Sequence, residues 1–263
     1  MRVNTTRAKL LEGKVVFGGI ISGFAPELVE LLGAIGYDFA FLDCEHGSMS
    51  PDQVEHMVRA AEVFGITPIV RVPDHGDATI LRYLDRGVQG IIVPHVNTAE
   101  QAAHVVAAAR YAPEGHRGAG GGRAHDYNVH APGSETRRWI NEQLLVIPMC
   151  EETEAVANLE QILAVPGVDV VHVASGDLGQ SMGNPPAVEV RRVMADVVRR
   201  VRAGGKYAGI GGNAPTDPAG VAALIAEGAS FVTISALGLL RLGAEAFRNG
   251  VDAAVARAGS ERA

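Results

Sequence analysis

Side chains able to do chemistry recur in this chain at one kind of place, directly after a short apolar run. Asp43-Cys44-Glu45-His46 follows FAFL, Arg71 closes TPIVR, Glu151-Glu152 follows VIPMC, Ser175-Gly176-Asp177 follows VVHVA, and Gly211-Gly212-Asn213 follows KYAGI. Brought together, Glu151 and Asp177 suit a hard divalent cation such as Mg2+ or Mn2+, which takes oxygen ligands and keeps water positions open for substrate. The same two acids would also be in place if Glu151 only complements a helix dipole and Asp177 caps a short helix. His46 is either a group that takes and gives a proton near neutral pH or a surface histidine held by hydrogen bonds. Arg71 is a permanent cation at the end of an apolar run and needs an anionic partner. That partner is a substrate oxygen or a structural ion pair with Asp43 or Glu45. The stretch Gly118 to Arg123 lacks the lysine and hydroxyl residue of a phosphate-binding loop and reads as a flexible rim loop. His95, His125 and His130 share no ligand spacing and read as non-catalytic.

For these clusters to meet, the runs before them must be strands that end on one rim. Apolar runs near 15–20, 38–42, 67–71, 90–94, 144–148, 169–174, 206–210 and 231–235 read as buried parallel strands. Between them the apolar residues take helical spacing, as in Val54, Met57, Val58 and Ala61, or Val156, Leu159 and Leu163. Helix starts are marked by Ser50-Pro51-Asp52-Gln53, by Thr98 with Gln101, and by Asn184-Pro185 and Asp217-Pro218. Glycine precedes the next strand in GYDFAFL, GITPIV, GVQGIIV, GVDVVHV, GGKYAGI and GASFVTI, as expected of a left-handed residue that closes each helix. Repeated right-handed βαβ units predict an α/β fold, a single (β/α)8 TIM barrel over residues 1–263, with an open doubly wound sheet as the alternative. An extra helix is expected at about 5–12, and the last helix after 236. The stretch 111–143 is glycine-rich and too long for an ordinary connection, so it is expected to form a functional βα loop at the active site, a subunit contact, or both.

The 263 residues fit one such domain, and the 47% hydrophobic content is that of a folded protein. A net charge of -7, with arginines dispersed among acids, argues against a nucleic-acid surface and points to small solutes. The N-terminal MRVNTTRAKLLEGK has no apolar core of a signal, and no apolar run is long enough to span a membrane, so a cytoplasmic location is the default expectation. Cys44 and Cys150 lack the spacing of a zinc or redox motif and read as reduced thiols.

In FLDCEHG, PIVRVP, YLDRGVQGIIVPHVNTAEQA, RYAPEGHRGAG, EETEAVANLEQIL and GVDVVHVASGDLGQSMG, in that order across most of the chain, the sequence resembles the HpcH/HpaI family of class II pyruvate aldolases. The resemblance implies reversible aldol cleavage of a 4-hydroxy-2-oxo acid to an aldehyde and pyruvate, or a pyruvate-like donor such as hydroxypyruvate. It implies a divalent cation, Mg2+, Mn2+ or Co2+, held by Glu151 and Asp177. It assigns Arg71 to the donor oxygen, pairs His46 with Asp85 as the dyad that moves protons, and gives the donor carboxylate to Ser175, Gly176 and Asp177. Asp43 and Glu45 then stand behind these groups. A homo-oligomer is also implied, a hexamer by resemblance, with ALGLLRLGAEAF as an apolar face.

The chemistry is coherent in its own terms. Retro-aldol cleavage needs a base for the hydroxyl and a sink for the carbanion, and a chelated 2-oxo acid supplies the sink without a Schiff-base lysine. The strand ends carry no lysine except Lys206, at the start of a strand. Met149, where family members often have glutamine, and Ala174-Ser175-Gly176, where glycine-proline is common, depart from the pattern and bear on donor and acceptor choice. Two other activities are weighed beside this one. A malyl- or citramalyl-coenzyme A lyase would share the enolate chemistry, but no coenzyme A pocket is visible in the sequence. A non-catalytic metabolite-binding barrel would not need the set His46, Arg71, Asp85, Glu151 and Asp177.

Overall fold

The structure, a computed structural model, describes residues 2–260; residues 1 and 261–263 of the expected domain lie outside the described residues. Runs rich in Val, Ile and Phe form parallel strands β1 (Val16–Ile21), β2 (Phe39–Asp43), β3 (Thr67–Arg71), β4 (Gly90–Val93), β5 (Leu145–Pro148), β6 (Val170–Ala174), β7 (Tyr207–Asn213) and β8 (Ala229–Ser235). The helices are α1 (Thr5–Leu11), α2 (Pro26–Ala34), α3 (Pro51–Phe64), α4 (Asp77–Leu84), α5 (Ala99–Ala109), α6 (Gly133–Gln143), α7 (Thr153–Ala157), α8 (Leu159–Leu163), α9 (Ser175–Ser181), α10 (Ala187–Ala203), α11 (Pro218–Ala226) and α12 (Ala236–Ser260). The 8-stranded sheet has the order β5-β4-β3-β2-β1-β8-β7-β6, with no reversal at a switch point. Its ends meet where Met149 pairs with His172 and the Cys150 N–H donates to the His172 carbonyl at 2.8 Å. This is a (β/α)8 barrel and not the open doubly wound alternative.

Both faces of the sheet are covered, which is why the strands read as continuous apolar runs. Phe39 and Phe231 stack inside the barrel with centroids 4.2 Å apart. The lumen beside them is filled by His172, and a Cβ on Gly211 would come within 2.5 Å of its ring, so glycine is required there. Outside, Val54, Met57, Val58 and Ala61 of α3 pack on the strands, as their spacing predicts. Thr98 and Gln101 exchange the bonds of a capping box ahead of α5, at 3.1 and 3.3 Å. Gly65 ends α3 with φ 69°, a left-handed turn into β3.

Helix α1 closes the barrel at the N-terminal end of the strands. Asn4 caps it by accepting from the Arg7 N–H at 2.9 Å, and its Nδ2 donates to the carbonyls of Gln89 and Gln143. The helix is thereby tied to the starts of β4 and β5, and Leu10 is buried against the lumen cluster.

The stretch 111–143 corrects an expectation. It joins α5 to β5, so it is an αβ connection at the N-terminal end of the strands and not a βα loop at the catalytic rim. It contains a 3-10 turn at Arg123–Asn128 followed by α6, and it grips the ends of earlier helices. Arg117 donates to Asp85, just past α4, at 2.8 Å, and Arg123 pairs with Glu62 in the last turn of α3. Among the described residues no helix is long and apolar enough to cross a membrane.

Candidate active site

The C-terminal ends of β2 to β6 converge on one rim, with Asp43 and Arg71 in register on adjacent strands. Arg71 is buried there and engages Asp43 through two bonds, Nε to Oδ1 at 3.0 Å and Nη2 to Oδ2 at 2.9 Å. Its Nη1 lies 3.0 Å from Glu45 Oε2 and 4.0 Å from Met149 Sδ. Burial opposes ionisation of Asp43, but Arg71 and the main-chain N–H groups of His46 and Glu45 hold its carboxyl below the usual range. The structural ion pair weighed for Arg71 is therefore real. It leaves Nη1 unbonded to Asp43.

Glu151 follows β5 and is 1% exposed. Its Oε1 accepts the His95 N–H at 2.8 Å, whereas Oε2 is buried with no hydrogen-bond partner. Burial pushes this carboxyl above the usual range; the His95 N–H and imidazole oppose the shift, while the charges of Asp177 and Glu45 reinforce it. Asp177 sits in the first turn of α9, directly after β6. Closure of the barrel between β5 and β6 is thus what brings the two acids within reach of each other.

His95 binds this cluster together. Its Nδ1 is 2.8 Å from Glu152 Oε1, its Nε2 is 3.4 Å from Glu45 Oε1, and Glu152 Oε2 accepts from Asn97 Nδ2 at 2.9 Å. Burial works against the imidazolium, but the Glu152 bond and the charges of Glu151, Glu45 and Glu152 carry its pKa above the ordinary histidine value. Set aside in the sequence with His125 and His130, it lies at the rim against Glu45, Glu151 and Glu152. His125 is instead buried against Tyr111, Nε2 to Oη 2.8 Å, and His130 is exposed in the 111–143 connection. The one available signal was position, since His95 comes two residues after β4 as His46 comes three after β2.

Of the residues singled out by sequence, Asp43, Glu45, Arg71, Glu151 and Asp177 come together. His46 stands at the edge, its side chain 64% exposed and Nε2 4.0 Å from Glu45 Oε2. Asp85 does not join it. As the C-cap of α4 it lies where helices end, at the opposite end of the barrel, and Arg117 takes its carboxylate. The expected His46–Asp85 dyad is therefore not formed within one chain. Ser175 and Gly176 open α9, where first-turn N–H groups have no intrahelical acceptor. The Ser175 hydroxyl donates to the Gly212 carbonyl at 3.0 Å, and the space next to Gly176 is empty. A cleft of about 400 Å³ opens beside them, lined also by Asn213 and the Arg191–Asp217 ion pair. Another cavity, near Arg2, Arg117 and Trp139, is far smaller, at about 60 Å³.

Asp43, Glu45, Glu151, Glu152 and Asp177 outnumber Arg71, His46 and His95 at this rim, an imbalance that a bound cation would relieve. The unpartnered Glu151 Oε2 and the Asp177 carboxylate are oxygen donors suited to a hard divalent ion. Among the described residues no three His, Cys, Asp or Glu side chains group to hold a metal, so further ligands would have to be water and substrate.

Comparison with known proteins identifies the family. A profile of the HpcH/HpaI aldolase/citrate lyase family matches residues 17–241. The chain is 33% identical to the 2-keto-3-deoxy-L-rhamnonate aldolase of Salmonella gallinarum over 242 residues, which cover 88% of this chain and 86% of that one. The protein of the same name from Escherichia coli K12 gives the same identity and coverage. An HpcH/HpaI aldolase structure from Desulfitobacterium hafniense aligns with a TM-score of 0.87 at 28% identity, covering 93% of this chain and 95% of that one. The citrate synthase SbnG aligns with a TM-score of 0.82 at 30% identity, covering 94% and 96%. Barrel and profile agree: the chain belongs to the HpcH/HpaI aldolase/citrate lyase family and is a carbon–carbon lyase.

Proposed function

We propose that this enzyme catalyses the reversible, divalent-metal-dependent cleavage of a 4-hydroxy-2-oxo acid to pyruvate, or a pyruvate-like donor such as hydroxypyruvate, and an aldehyde. The observation that carries this reading is the buried, unpartnered Oε2 of Glu151 beside the like charge of Asp177. A buried carboxylate oxygen without a partner is costly, and a cation between the two acids would satisfy it. When bound, Mg2+, Mn2+ or Co2+ supplies positive charge for the enolate oxygen that cleavage creates.

The chain's own residues do the rest. The C4 hydroxyl must lose its proton as the C3–C4 bond breaks, with the bonding electrons passing to the C2 oxygen; a proton delivered to C3 then completes the donor. Arg71, oriented by Asp43, offers Nη1 to the C2 oxygen and holds the developing charge. His46, on the loop after β2 and open to solvent, takes the hydroxyl proton and returns one, with Glu45 beside its Nε2. Main-chain N–H groups at Gly176 and Asp177, opening α9, receive the donor carboxylate, and the cleft beside Ser175 has room for the aldehyde half. The chain acts as a homo-oligomer, a reading supported by the exposed Leu237, Leu240, Phe247 and Val255 on α12.

The relatives named for 2-keto-3-deoxy-L-rhamnonate make a 2-oxo-3-deoxy sugar acid the first substrate to try. Pyruvate release, followed through coupled NADH oxidation, is expected to disappear after EDTA treatment and return with Mg2+, Mn2+ or Co2+. Full activity in the stripped protein, or turnover confined to coenzyme A thioesters, would overturn the proposal.

A further inference from the structure

We propose that His95 is a positioning residue, whose left-handed main chain and imidazole together decide that Glu151, and not Glu152, offers a free oxygen to the cation. The inference rests on the metal-site reading above. His95 has φ 55°, a conformation uncommon for any residue with a side chain. Just beyond β4, its main-chain N–H donates to Glu151 Oε1 at 2.8 Å. With that oxygen occupied, Oε2 is the one left buried without a partner, so the carboxylate is presented through a single oxygen.

The imidazole does a second job. Nδ1 bonds Glu152 Oε1 at 2.8 Å while Asn97 Nδ2 holds Oε2 at 2.9 Å, so both oxygens of the neighbouring carboxylate are engaged. Nε2 stands 3.4 Å from Glu45 Oε1, which ties the ends of β2, β4 and β5 to one ring. Two consecutive glutamates of identical chemistry are thus made unlike by one histidine.

Mn2+ binding to the metal-stripped full chain, read from the EPR signal of free Mn2+, separates the two parts. His95→Gly keeps the left-handed main chain and its N–H but releases Glu152. His95→Asn accepts the same main chain and offers an amide to Glu152, while His95→Val disfavours the left-handed turn and carries no polar atom. Loss of a group that orients a ligand typically weakens metal binding about 10- to 100-fold, so Kd should rise by about that factor for His95→Val, by less for His95→Gly, and return towards wild type for His95→Asn. Equal affinities in all forms, or a loss in His95→Asn as large as in His95→Val, overturn the inference alone. If His95→Val fails to fold by circular dichroism, the comparison of Gly with Asn decides. Glu151→Gln is the parallel control: Mn2+ binding unchanged in that variant overturns the metal-site reading and this inference with it.

Discussion

Arg71 shows how far a residue's role follows from its type and its place. A cation ending an apolar strand had to meet an anion, and the neighbouring strand supplies Asp43 in register. Because Asp43 uses two of its nitrogens in parallel, lysine cannot replace it. Arg71→Lys is expected to lower kcat/KM about a hundredfold, the usual cost of one oxyanion-stabilising donor, and steady-state kinetics on the pyruvate assay check this. Asp43, Glu45, Glu151 and Asp177 were legible for the same reason, since each is an acid that closes a strand or lies within three residues of its end. His95 was not, because its contribution comes from a backbone angle and from three glutamates on two other strand ends, none of which has a fixed spacing from it. Asp85 does not meet His46 within one chain, because its motif says which residues are alike but not at which end of a helix they lie.

At the scale of elements, the punctuation was readable. Capping boxes, helix-closing glycines and the first-turn prolines Pro51 and Pro218 mark helices at the observed places, and the Thr98–Gln101 box forms as its spacing requires, whereas Asn184-Pro185 stands short of α10, which is capped at Pro186. The 111–143 connection was misread because glycine content reports flexibility of the chain, whereas its end of the barrel is set by whether it follows a helix or a strand. The plug helix α1 carries its own prediction. Leu10 is almost completely buried against the lumen, so Leu10→Ala should cost about 2–5 kcal/mol of stability by urea denaturation, the range for a large-to-small core change. KM for the 2-oxo acid should stay unchanged, because α1 lies at the end away from the rim.

For the whole molecule, the barrel lumen imposes a pH dependence. His172 is buried beside Phe41 and Phe231, with Nε2 3.2 Å from Thr233 Oγ1. Burial, aided by the charge of Arg71, pushes its pKa down to about 3 from the ordinary 6.5. Between these values the unfolded chain binds the extra proton, so stability is full above pH 6.5 and falls as pH drops, by at most about 1.4 kcal/mol per pH unit. Tm measured against pH should show that decline, and His172→Gln should flatten it. The outer surface makes a different demand. Leu240 and Phe247 are both more than half exposed on α12, and the double change Leu240→Glu with Phe247→Glu should reduce the mass seen by light scattering to that of a single chain.

The proposed activity depends on a cation between Glu151 and Asp177. Anomalous diffraction from a crystal of the full chain soaked in Mn2+ tests it most directly. The predicted result is a peak within bonding distance of Glu151 Oε2 and the Asp177 carboxylate; no peak at saturating Mn2+, or one confined to other residues, would contradict it.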